Sequence, residues 1–211
     1  MCSKSFDSSG VYSWKERGVD CLVHARGERF VNEGLMFNFT ASAINTNAYR
    51  GGVWTIVDQA TMDAQEMTDD KLEDYFEEGW LLKADTLEEL AGLMGVDAAN
   101  LADTVQTWNG FVDEGEDKQY KRAMDTARKY ETAPFYAMKT NTSFLVTVSG
   151  LTIDPDCRVL DKNEQPIPGL FAGGNASGGM FADQYPRHLP ATSVGRCVTN
   201  GFVAARTACT E

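Results

Sequence analysis

Three side chains able to bind and protonate a small molecule lie within four positions near the end of the chain: Tyr185, Arg187 and His188, in the stretch Phe181-Ala182-Asp183-Gln184-Tyr185-Pro186-Arg187-His188-Leu189-Pro190. An arginine pairs with a carboxylate or polarises a carbonyl. Tyrosine and histidine pass protons. The plainer reading is that one or two of the three only face solvent. Just before them, Gly173-Gly174-Asn175 forms a turn. Glycine there lets backbone approach a ligand closely; alternatively, Asn175 is an ordinary turn residue. Just after them, Pro190-Ala191-Thr192-Ser193-Val194 opens a helix. Its first turn offers free N–H groups and the positive end of a dipole to an electron-rich group, or Thr192 or Ser193 simply caps it.

Composition excludes several other functions. The 211 residues carry a net charge of -12, against the clustered Lys and Arg that nucleic-acid surfaces need. A 43% hydrophobic fraction supports a folded core. No apolar run approaches the roughly 20 residues that span a bilayer, and the N-terminus has no apolar signal region. The five cysteines (Cys2, Cys21, Cys157, Cys197 and Cys209) are dispersed and include no C-x-x-C pair. They read as reduced thiols, with no metal site and a cytoplasmic location by default. Loss of an upstream signal would leave an exported location open.

The elements that must position these residues follow from hydrophobic period. Residues 1–19 read as a poorly ordered lead-in. Short strands are expected at Cys21-Leu22-Val23 and at Val53–Val57, the latter a continuous apolar run closed by Asp58. Helices are expected over residues 38–48, over 69–80 with Leu72, Tyr75, Phe76 and Trp80 on one face, from Asp85 or Thr86, and from Asp97 to about Val112. Residues 113–132 are charged and read as a solvated loop or frayed helix. From Pro134 the pattern turns to strands, at 135–138 and 144–148, then a hairpin over 153–160 and a strand from Pro166 into the glycine turn. Residues 191–207 make the closing helix.

Several stretches, in order, carry a family resemblance: Gly27-Glu28-Arg29-Phe30-Val31-Asn32-Glu33, Lys83–Ala91, Ala133-Pro134-Phe135-Tyr136-Ala137, and Ile167-Pro168-Gly169-Leu170-Phe171-Ala172-Gly173-Gly174-Asn175 followed by Gly195-Arg196 and Gly201. Together they resemble the fumarate reductase/succinate dehydrogenase flavoprotein family of FAD-dependent oxidoreductases, with ketosteroid dehydrogenase-like features. The resemblance implies an α+β or α/β fold. Residues 1–21 would be the lead-in, 22–146 most of a mobile capping (clamp) domain, and 147–211 the C-terminal return into a Rossmann-like FAD-binding domain. The chain contains no G-x-G-x-x-G, the loop that holds a dinucleotide pyrophosphate on a helix N-terminus. The resemblance therefore covers the C-terminal half only, and the N-terminal half, on the same gene or on a partner chain, would complete the site.

The resemblance also implies roles. Gly174, Asn175, Thr192, Ser193 and Val194 match positions that hold FAD, with Asn175 replacing an acidic residue beside the ribityl chain. Counting back from Gly201 places His188, with Arg187 beside it, at a substrate-clamping arginine. Counting forward from Asn175 places Tyr185 at a functional tyrosine of ketosteroid dehydrogenases. Two departures stand out. Met62 lies near the position of an acidic-proton-donating arginine, and Val146 replaces a histidine. Glu33 remains as a member of a proton route or as a turn cap, and His24 reads as structural. The expected function is hydride transfer between flavin and an activated carbon–carbon bond of a small organic substrate. An electron-donor protein is a possible partner. The alternatives are a non-catalytic product that cannot hold FAD, or a subunit completed by another chain.

Overall fold

The computed structural model describes residues 21–35, 37–48, 51–142, 146–181, 185, 189 and 191–210. The chain divides into two compact units, residues 1–143 and 144–211.

The first unit is built on a four-stranded antiparallel sheet in the order β1-β2-β4-β3, where β1 is Cys21–His24, β2 Val53–Asp58, β3 Leu81–Ala84 and β4 Phe135–Lys139. All six residues of β2 are buried, because it is an inner strand covered on both faces. Alternation along the pleat splits its side chains between two cores. Ile56 joins Leu90, Leu101, Val105, Trp108 and Tyr130 on one side. Val57 joins Met62, Leu72, Leu81 and Tyr136 on the other. Helix α1 (Phe37–Ala48) adds Ile44 to a third cluster with Leu22, Val31 and Val53.

The helices are punctuated as their sequences dictate. Asp58 caps α2 (Gln59–Ala64), its Oδ1 accepting from the Thr61 N–H at 2.9 Å. Its other oxygen accepts from the N–H groups of Glu131 and Thr132, each at 3.1 Å, so one carboxylate ties two distant segments together. Of the two candidate caps, Thr86 starts α4 (Leu87–Met94) and accepts from the Glu89 N–H. Asp97 starts α5 (Ala98–Glu114), which ends at Gly115 in the left-handed conformation.

Four expectations need correction. The helix expected over 69–80 is α3 (Asp69–Glu77); Trp80 lies beyond it and packs edge-on against Tyr75. β3 and α2 were not anticipated. Residues 113–132 are largely the exposed loop expected, but Asp117, Arg122, Met124 and Tyr130 within them are buried. Their charges pair with each other and with residues far away in sequence, which a local charge count cannot register. Of the strand expected over 144–148, residues 144 and 145 lie outside the described residues, and 146–148 are not strand.

In the second unit, β5 (Arg158–Leu160) pairs antiparallel with β6 (Pro166–Phe171). β6 leads into a 3-10 turn, Gly174–Ala176, against which α6 (Thr192–Ala208) packs. The apolar positions of α6 do not face inward. Val194, Val198 and Phe202 are all more than two-thirds exposed, whereas Arg196 is buried.

Candidate functional site

The glycine turn and the start of α6 meet. Gly174 has φ of +58°, and a Cβ there would lie 2.7 Å from the Cys197 Sγ. A Cβ on Gly173 would lie 2.8 Å from the Asn200 Cβ. The close approach that these glycines allow is thus the approach of α6 to the turn. It brings Asn175 beside the first turn of the helix.

The Asn175 Oδ1 accepts from the Arg196 Nη2 at 3.1 Å and lies 3.4 Å from the Ser193 Oγ. The Asn175 backbone carbonyl accepts from the Thr147 hydroxyl at 2.7 Å. Arg196 also donates to the carbonyls of Thr147 and Ser177, and its guanidinium lies 4.5 Å from the centre of the Phe181 ring. The Tyr185 hydroxyl oxygen accepts from the Ser193 N–H at 3.2 Å, and the Tyr185 ring tilts against Phe181. That bond occupies the phenol oxygen and leaves its hydrogen available for donation.

No side chain caps α6. Thr192 instead donates to the Leu189 carbonyl. The residue at the N-cap, Ala191, gives no side-chain bond, so the only side chain that meets a first-turn N–H among the described residues is Tyr185, and the turn keeps its positive dipole end, equivalent to roughly half a charge. Asn175, Ser193 and Tyr185 come together as a cluster, joined by Thr192 along the helix. Val194 contributes backbone to the turn, while its side chain is exposed. Arg187 and His188 lie outside the described residues. Arg196 entered the sequence reading only as part of the Gly195-Arg196 motif, with no role assigned. Its neighbours one helical turn away, Thr192, Ser193, Thr199 and Asn200, include no acid. An arginine so placed in a helix is a signal that it serves something other than a surface ion pair.

A second polar cluster lies in the first unit. The Arg29 Nε and Nη2 donate to the two Glu33 oxygens at 2.9 and 2.7 Å, and Nη2 also reaches Asp117 at 2.9 Å. Arg122 stands 3.6 Å from Glu33. Both guanidinium groups lie over Trp108, at 4.8 and 4.9 Å from its centre. Burial works against the Arg29 charge, but hydrogen bonds to Glu33 and Asp117 outweigh it and hold the group above its ordinary pKa. Burial pushes Asp117 up, yet the bonds from Arg29 and from the Tyr120 and Arg122 backbone leave it below the usual carboxylate range. Glu33 is occupied on both oxygens by Arg29, the arrangement of a structural clamp. Met62 is 1% exposed within the core. His24, half-buried, stacks on Phe30 and accepts from the Arg26 N–H, as a structural residue would. Among the described residues no cluster of metal-ligating side chains occurs, and no helix is long and apolar enough to cross a membrane.

Comparison with known proteins agrees with the motifs. The family model for an FAD binding domain matches residues 7–187. The vinyl phenol reductase of Lactiplantibacillus plantarum is 29% identical over 205 residues, covering 87% of this chain and 41% of that protein. The open conformation of a flavocytochrome c3 fumarate reductase superposes with a TM-score of 0.77 at 29% identity, over 94% of this chain and 33% of the other. The 3-ketosteroid delta1-dehydrogenase of Sterolibacterium denitrificans, solved with 1,4-androstadiene-3,17-dione, gives a TM-score of 0.72 at 27% identity, over 94% of this chain and 40% of the other. The chain spans less than half the length of the curated relatives it matches. The mixed α/β fold, the FAD cofactor and the fumarate reductase-like resemblance expected from the motifs are all supported by these matches, and the chain belongs to the FAD binding domain family of FAD-dependent oxidoreductases.

Proposed function

We infer that this chain forms the capping domain (residues 22–146) and the closing part of the FAD-binding domain (147–211) of an enzyme that transfers a hydride between FAD and an activated carbon–carbon bond. When bound, the flavin supplies hydride donation or acceptance at N5. The observation that carries this reading is the contact between Asn175 and the first turn of α6, with the Ser193 hydroxyl 3.4 Å from the Asn175 Oδ1 and no side-chain bond from the N-cap residue. A helix start without a cap, next to a buried arginine whose Nε has no hydrogen-bond partner, fits an electron-rich ring edge.

In this reading Gly174 and Asn175 hold the cofactor from one side, and Thr192, Ser193 and Val194 hold it from the other at the start of α6. Tyr185 stands at the same helix start, with its hydroxyl hydrogen free to be donated to substrate. Arg187 and His188 complete the substrate side, Arg187 as the group that orients a carboxylate or carbonyl. The core position of Met62 supplies no proton donor, so protonation falls to the 185–188 stretch. The substrate class is a small molecule with a double bond conjugated to an aromatic ring, a carboxylate or a ketone. These are the groups named by vinyl phenol reductase, fumarate reductase and ketosteroid dehydrogenase.

A second reading is favoured by the exposed Val194, Val198 and Phe202 face of α6. Apolar area of this kind marks a surface that another element covers. The dinucleotide-binding half then comes from outside these 211 residues, and the chain holds FAD only when that half is present.

The test is an absorbance and fluorescence titration of FAD with the purified chain. It is repeated after co-expression with the dinucleotide-binding portion of the L. plantarum relative. Perturbed flavin bands with the chain alone support the first reading. Bands perturbed only in the co-expressed sample support the second. An unperturbed spectrum in both contradicts the flavin assignment.

A further inference from the structure

Arg196 lies outside the set of residues assigned above, and its role rests on the flavin reading just given. It is 3% exposed. Its Nη2 donates to the Asn175 Oδ1 at 3.1 Å and to the Thr147 carbonyl at 3.3 Å, and its Nη1 donates to the Ser177 carbonyl at 3.4 Å. The centre of the Phe181 ring lies 4.5 Å from its guanidinium carbon. A guanidinium has five N–H donors in a rigid plane and no acceptor. Of the two ends of the Asn175 carboxamide, only the oxygen can face it. The Ser193 Oγ, 3.4 Å away, meets the same oxygen. The amino end, with two N–H bonds, is left for whatever lies beyond.

We propose that Arg196 is a positioning residue of the flavin site: it pins the Asn175 carboxamide so that position 175 offers N–H donors, and no acceptor, to the bound cofactor. The cofactor groups that satisfy such a site are oxygen acceptors, hydroxyl or carbonyl. An aspartate at 175 would reverse the polarity, presenting lone pairs and pairing its charge with Arg196. The guanidinium also joins Thr147, the 175–177 turn and Phe181 to one helix, so the pin is held by three backbone and ring contacts besides the one it makes to Asn175. Lysine can replace the charge but not the fork.

The test uses the 15N-labelled 211-residue chain as wild type, R196Q, R196K, N175D and the N175D/R196Q double variant. The readouts are the Asn175 side-chain amide resonances, identified by their loss in N175D, the melting temperature, and FAD affinity in whichever sample binds it. In wild type the Asn175 amide pair is shifted from exposed values. In R196Q it moves to exposed values and FAD binding weakens about tenfold, the effect of losing one hydrogen bond from a charged group. R196K recovers part of both. N175D raises the melting temperature while weakening FAD binding, and the rise disappears in the double variant. Unchanged Asn175 resonances in R196Q overturn the proposal. So does an N175D melting temperature that fails to rise, the deciding measurement if R196Q does not fold. Absence of FAD binding in every wild-type sample overturns the flavin reading instead, and with it the ligand named here. The resonances and the thermal cycle still judge the contact on their own.

Discussion

The guanidinium of Arg29 and the carboxylate of Glu33 face each other through two parallel hydrogen bonds, Nε to Oε1 at 2.9 Å and Nη2 to Oε2 at 2.7 Å, with both side chains almost wholly buried. The pair accounts for an arginine and a glutamate standing four residues apart in the Gly27-Glu28-Arg29-Phe30-Val31-Asn32-Glu33 stretch. Together with Asp117 it fastens the segment after β1 to the loop after α5. Breaking a buried pair by removing one partner costs about 3–5 kcal/mol, because the other charge is left unpaired. We expect R29M to lower the unfolding free energy by roughly that amount and E33A by less, because Asp117 still pairs with Arg29, both measured by urea denaturation. If Glu33 relayed protons instead, E33A would slow turnover and leave stability intact.

Asp117 links this cluster to pH. Its folded pKa lies below the unfolded value, so it contributes stability that is fully present above the unfolded carboxylate pKa of about 3.9 and is lost as pH falls through the folded value. The melting temperature of the first unit should therefore drop steeply in that acid range. D117N should be less stable than wild type at neutral pH and show a shallower acid dependence. Parallel curves for the two proteins would show that Asp117 is not the titrating group.

Asp58 receives three backbone N–H groups, from Thr61, Glu131 and Thr132. Substitution by alanine removes a helix cap, worth about 1 kcal/mol, and strands two more donors near the surface of the core, at about 1–3 kcal/mol in all. D58A should destabilise by roughly 3 kcal/mol on these figures. D58N, which keeps the cap oxygen, should lose about half as much on the same scale. Equal losses from the two variants would mean that the charge, not the pattern of acceptors, matters.

Gly174 is placed where both its backbone angle and its neighbour exclude a side chain. G174A sets a Cβ against the Cys197 Sγ at a left-handed φ. We expect G174A to destabilise the second unit and G174A/C197A to recover part of the loss, leaving the backbone strain of roughly 1 kcal/mol. Additive effects in the double variant would contradict the direct contact.

Much of this was legible in the sequence because its signals are local. The β2 run Val53–Val57, the caps Thr86 and Asp97, and the glycine turn each announce themselves within a few residues. What was not legible depends on pairings across long separations. Residues 113–132 read as solvated because most of their charges pair locally at the surface, as Lys118 does with Glu114; Asp117 instead finds Arg29 across 88 positions. Val194, Val198 and Phe202 are apolar positions of the closing helix, yet all three are exposed, because periodicity reports amphipathicity and not which neighbour is present. In the candidate site, Asn175 and Ser193 were identified by type and place. Arg196 was quoted in a motif but given no role, because it binds mainly backbone carbonyls, for which a sequence has no code.

The account stands most directly on whether this chain cups a flavin between the Asn175 turn and the start of α6. The decisive measurement is the FAD titration of the chain, alone and co-expressed with a dinucleotide-binding half, comparing wild type with an S193P variant that removes the N–H given to Tyr185. Wild type should perturb the flavin bands in at least one setting and S193P should abolish the change while its melting temperature stays within a few degrees. Flavin bands unperturbed by wild type in both settings, or perturbed equally by S193P, would contradict it.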